Sequence, residues 1–94
     1  MPRVVIFTRL TARPGKGAEL LAALEAFADN SRTEPGTEVF AVHGARDLPD
    51  VVVGYEVFRD DDALAAHRAS DATTEVTARL PSLLAGPPEI TYAR

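Results

Sequence analysis

The stretch Val51–Ser70, VVVGYEVFRDDDALAAHRAS, decides how the rest of the chain is read. Its opening is dominated by Val, Tyr and Phe and reads as a strand over Val51–Arg59. Asp60-Asp61-Asp62 then starts a helix, because carboxylates there accept from backbone N–H groups that lack intrahelical partners and oppose the positive end of the dipole. Ala63, Leu64 and His67 stand three and four residues apart, which puts His67 on the packing side of that helix or at the edge of it; the helix stops near Ser70-Asp71.

Both faces of the strand are apolar. Val51, Val53, Tyr55 and Val57 oppose Val52 and Phe58. The same is true upstream, where Thr37–Ala45 is a strand with Val39 and Ala41 opposing Phe40 and Val42, joined to Val51 by a hairpin loop at Arg46–Asp50. It is true again in Arg3–Ala12, where Val4, Ile6 and Leu10 oppose Val5 and Phe7. A one-layer sheet with a wet face alternates apolar and polar residues. Helices can cover only one face here, and the other would expose several hundred Å2 of apolar surface, which monomers rarely tolerate. Burying it contributes on the order of 10 kcal/mol before association costs. A homodimer follows, with two sheets face to face closing a barrel and a pocket between each sheet and its helices.

The remaining elements complete the order. Arg13-Pro14-Gly15 ends the first strand, and Leu20, Leu21, Leu24, Phe27 and Ala28 form one stripe of a helix from Lys16 to about Arg32. Glu34-Pro35-Gly36 ends that helix. Beyond Asp71 a further helix carries Val76, Leu80, Leu83 and Leu84 on one side, with Pro81 expected to kink or restart it. Gly86-Pro87-Pro88 breaks the chain before a short last strand, Glu89–Arg94. The fold class is α+β: a ferredoxin-like β-α-β-β-α-β domain over residues 1–94, strands one and three central, helices on one face.

Composition narrows the chemistry. With no cysteine there is no disulfide, thiolate nucleophile or Cys-based zinc site. Net charge is −4 and the arginines form no run, so no nucleic-acid partner is expected. No apolar stretch is long enough to span a membrane and no leader pattern opens the chain, so cytoplasmic residence is the expectation. Two histidines without paired spacing give no metal site. His43, late in the second strand, reads as a surface residue; Asp60-Asp61-Asp62 reads as a cap, and Gly15 and Gly17 around Lys16 as an ordinary turn. His67 reads as a helix-edge histidine hydrogen-bonded to a neighbour, or as a general base aimed into a pocket.

Tyr55-Glu56-Val57-Phe58, Asp60, Ala63-Leu64, His67 and Ser70 together resemble the Y-E-x-W…D…A-L…H…S stretch of the antibiotic biosynthesis monooxygenase family. Arg13-Pro14-Gly15-Lys16, Glu34-Pro35-Gly36-Thr37 and Gly86-Pro87-Pro88-Glu89 are similar to further marks of that family. The resemblance implies a dimeric α+β barrel, some of whose members oxygenate phenols, anthrones or quinols with O2 and no metal, flavin or other cofactor. By position it implies His67 as catalytic residue and Thr8, Tyr55, Glu56 and Phe58 as residues around a small aromatic substrate, Tyr55 lying on the opposite face from Glu56 and Phe58. Haem-degrading relatives carry Asn, Trp and His where this chain has Thr8, Phe58 and His67, and many relatives carry His-Phe where it has Ala72-Thr73. The expected function is cofactor-independent oxygenation of a phenolic, quinol or polycyclic aromatic. The alternatives are a non-catalytic module binding a small ligand, and another enzyme class on the same scaffold, such as an isomerase, a haem-handling or a dehalogenase-like protein.

Overall fold

A computed structural model describes residues 2–94; Met1, the first residue of the expected domain, lies outside them. The elements are β1 (Val4–Thr11), α1 (Gly17–Ser31), β2 (Thr37–Gly44), β3 (Val51–Phe58), α2 (Asp61–Arg68), α3 (Asp71–Leu83) and β4 (Glu89–Ala93). The strands form one antiparallel sheet in the order β2-β3-β1-β4, so β1 and β3 are central. This is the expected ferredoxin-like α+β arrangement, with three helices on one face.

Two apolar clusters tie that face together. Leu10 and Val52 of the sheet meet Leu20 and Leu24 of α1 and Val76 and Leu83 of α3. Ile6, Phe40 and Phe58 meet Ala28 of α1 and Ala63 and Leu64 of α2. The helix stripes read from spacing are therefore the buried ones. Pro81 lies inside α3 without splitting it. It stands near the end, where losing one backbone donor breaks a single intrahelical bond.

The turns are held by side chains far away in sequence. The Asp50 carboxylate, in the β2–β3 hairpin, accepts from the Gly17 amide at 3.1 Å and the Gly15 amide at 3.3 Å. It thus caps α1, whose own preceding residue, Lys16, makes no side-chain cap. Gly17 permits this approach, since a Cβ there would lie 1.9 Å from the Pro49 carbonyl oxygen. At the other end, the Arg13 guanidinium donates to the carbonyls of Pro81 at 2.8 Å and Leu84 at 3.2 Å, closing the end of α3. The stretch expected to be only a chain breaker is thus also a clamp.

Among the described residues no helix or strand covers the opposite face. Phe7, Val39, Val53 and Tyr55 are exposed there, Phe7 to 49%, and the Phe7 and Tyr55 rings lie 5.0 Å apart. Among the described residues no helix is long and apolar enough to cross a membrane.

Candidate functional site

The register sorts the helix-facing side into cross-strand rows. One row runs Phe40, Glu56, Ile6 and Tyr92 across β2, β3, β1 and β4; the next runs Val42, Gly54, Thr8 and Ile90. Helices α1 and α2 pack over β2 and β3, whereas every residue of β4 is exposed, Tyr92 and Ile90 included. The covered face therefore ends in an open strip. Its floor is Thr8, Ile90 and Tyr92, and Glu56 stands where the helices begin.

Thr8 owes its position to Gly54. A Cβ at residue 54 would lie 2.4 Å from the Thr8 hydroxyl oxygen, so any larger residue displaces the hydroxyl from the sheet centre. Glu56 is half-buried between Phe40 and Ile6, both nearly fully enclosed. Burial pushes its carboxyl from 4.5 to about 7, against the opposing pull of the Arg68 charge, and no hydrogen bond contributes. Arg68, at the end of α2, donates to the Tyr92 hydroxyl and lies 6.0 Å from that ring's centre. The strip thus holds a carboxyl ionising near neutrality, a cation tied across from helix to edge strand, and two hydroxyls.

His67 lies next to this strip, on the other side of two rings. It is 6% exposed, and its ring packs against Phe58 at 4.9 Å, Phe27 at 5.2 Å and Phe40 at 5.4 Å. Its Nδ1 is hydrogen-bonded to the Glu34 carboxylate at 2.8 Å. The hydrogen-bonded helix histidine is thus the geometry observed. Its outer edge lines a pocket of about 310 Å3 shared with Glu34, Gly36, Arg59 and Asp62. Phe40 and Phe58, the rings under His67, are also the cross-strand and same-face neighbours of Glu56.

The structure therefore places the expected site residues in three settings. Thr8 and Glu56 are brought to one strip. Phe58, fully enclosed, and His67 form an aromatic cluster beside it. Tyr55 is on the far side of the sheet with Phe7. His43 is exposed, and Asp60 caps α2, its carboxylate accepting from the Ala63 amide at 2.8 Å, which holds it below its ordinary value. Among the described residues no three His, Asp or Glu side chains converge as a metal centre requires. Sequence reasoning missed Arg68, Tyr92, Gly54 and Glu34 as parts of the site. Each becomes relevant only through a partner 24 to 46 positions away, the separations of Arg68 from Tyr92 and Thr8 from Gly54.

Comparison with known proteins gives the following. The family model described as antibiotic biosynthesis monooxygenase matches residues 3–79. An uncharacterized protein, sll1783, of Synechocystis is 29% identical over 87 residues, covering 93% of this chain; the chain spans only 59% of that curated relative's length. The structure of Rv0793 from Mycobacterium tuberculosis is similar at a TM-score of 0.91 and 27% identity, over 99% of this chain and 94% of that one. PA3566 from Pseudomonas aeruginosa is similar at a TM-score of 0.92 and 25% identity, over 99% and 93% of the two chains.

Proposed function

The chain belongs to the antibiotic biosynthesis monooxygenase family, and on that premise we propose that it works as a cytoplasmic homodimer oxidising a small phenolic, quinol or polycyclic aromatic substrate with O2. The substrate is itself the reductant. Loss of its hydroxyl proton leaves an electron-rich anion that reduces O2, and a C–O bond forms at the activated ring carbon. The O–O bond then breaks. One oxygen stays as a carbonyl, and the other leaves as water with the hydrogens of the former C–H and O–H. Such a reaction asks the protein for an apolar pocket, donors for the anion and a group to take the proton.

The observation that carries this reading is the open strip on the helix side of the sheet. It sets apolar Ile90 and Ile6 beside the hydroxyls of Thr8 and Tyr92, the Arg68 cation and the half-buried Glu56. His67, of the two roles open to it, suits the orienting one, since Glu34 holds its Nδ1 and three rings hold its faces. Tyr55 and Phe7 belong to the proposed dimer contact, where a second copy covers the open face and β4 becomes the rim of a closed pocket.

Oxygen uptake by the purified, metal-free protein against quinols, anthrones and catechols tests this, with His67→Ala alongside. Uptake above background by the wild type, reduced at least tenfold in the variant, is the expected result. Equal uptake by both removes His67 from the site. The engaged state of His67 favours one second reading, a module that binds a small aromatic without turning it over; that reading predicts saturable binding with no oxygen consumed.

A further inference from the structure

Among the described residues, Glu56 is a carboxyl of the covered face that the fold leaves without a hydrogen-bonded partner. His67, Asp60 and Asp50 are each engaged by a named neighbour. A half-buried carboxylate between Phe40 and Ile6 is costly to keep, and such groups are ordinarily paired. The cation whose charge acts on it makes no ion pair with it: Arg68 is held by the Tyr92 hydroxyl on β4. The strip thus presents a half-buried carboxyl on β3, a cation of α2 tied to β4, and Thr8 diagonal to Glu56 in the next row.

We propose that Glu56 is the catalytic proton acceptor of this site, and that Arg68, positioned by Tyr92, holds the oxyanion that Glu56 creates. The substrate class is accordingly narrowed to aromatics whose ring hydroxyl is acidic enough to be ionised on binding. This deepens the oxygenase reading and rests on it for turnover, but not for binding. The proton balance closes. The ring O–H gives its proton to the Glu56 carboxylate and leaves an aryl oxide facing Arg68. After O2 adds at carbon, Glu56 returns the proton to the terminal peroxide oxygen and is a carboxylate again; the former ring C–H hydrogen then leaves with the terminal O–H as water, and the carbonyl forms. Arg68 on α2 is the charged group acting on Glu56; its neighbours on β1 and β2, Ile6 and Phe40, and on β3, Gly54 and Phe58, do not ionise. The value to which burial brings Glu56, about 7, matches acceptor to donor for acidic phenols.

The test separates proton transfer from oxygen chemistry. The protein is titrated anaerobically with 3-nitrophenol, a weaker acid than Glu56 whose ionised form has its own absorption band, in a weakly buffered solution with a pH indicator. Nitrobenzene, which lacks the hydroxyl, is the control. Above about pH 7, where Glu56 is mostly ionised and free 3-nitrophenol still mostly neutral, the wild type is expected to bind the probe as the phenolate with no proton released. In Glu56→Gln the bound probe stays neutral, or ionises only with release of a proton to solvent. In Arg68→Met the phenolate band is lost and affinity falls at least tenfold, while nitrobenzene binds all three proteins alike. Circular dichroism on each variant excludes misfolding. No saturable binding, a neutral bound probe in the wild type, or identical spectra and proton release in Glu56→Gln each overturns the proposal. Absence of oxygen uptake with intact proton transfer sinks the oxygenase reading and leaves this assignment standing.

Discussion

The two faces of the sheet are built from the same strands and are apolar to a similar degree, yet they have opposite fates. On the helix side, Ile6, Phe40, Val52 and Phe58 are buried within the chain. On the other, Phe7, Val39, Val53 and Tyr55 remain exposed. The difference is supplied by chain order. Both connections that cross the sheet place their helices on the same side, as right-handed crossovers require. One face is thereby completed locally and holds the proposed site. The other is left uncovered by the chain itself and is the proposed dimer contact.

The largest effect should come from breaking the open face. Phe7→Asp with Tyr55→Asp places two carboxylates in the proposed contact and is expected to weaken association by on the order of 5 kcal/mol, several thousandfold in dissociation constant. Sedimentation at micromolar concentration reads it as dimer for the wild type and monomer for the variant. A wild type that is already monomeric contradicts the assigned role of this face.

The covered face is probed next. Phe58→Ala removes a fully enclosed ring that supports both His67 and the neighbourhood of Glu56, and should cost about 4 kcal/mol in denaturant unfolding. A loss below about 1 kcal/mol would mean that the helix layer is not the stabilising one.

The smallest effect has the most informative sign. The folded-state value of Glu56 lies above its unfolded value, so its stabilising contribution is complete below about 4.5 and is lost as pH rises through about 7. Glu56→Gln should therefore be as stable as the wild type in acid and about 3 kcal/mol more stable above neutrality. Unfolding midpoints across that range measure it. A variant that is destabilised above neutrality would show that the carboxylate is well paired when folded, and that the covered face keeps no strained group for function.

Much of this molecule is readable locally. Asp60 caps α2 because a carboxylate before an apolar run has few other uses. Ala63, Leu64 and His67 share a buried side because the helix period places them there, and Glu56 shares a face with Phe58 because the strand period does. The caps on α1 and α3 were not readable in this way. Asp50 and Arg13 act on amides and carbonyls 33 to 71 positions away, and no short-range pattern records such pairs.

What the sequence determined by itself was the set of elements, the face on which each side chain lies and the apolar character of both faces of the strands. These follow from periods of two and 3.6 and from the local chemistry of caps and turns. What only the tertiary structure decided was which polar groups meet. Glu34 engages His67, Arg68 engages Tyr92, and Glu56 is left half-buried and unengaged, because sheet register and helix packing bring together residues that the chain holds far apart. The environment that moves Glu56 to neutrality is a sum over those distant neighbours, and so it exists only in the folded chain.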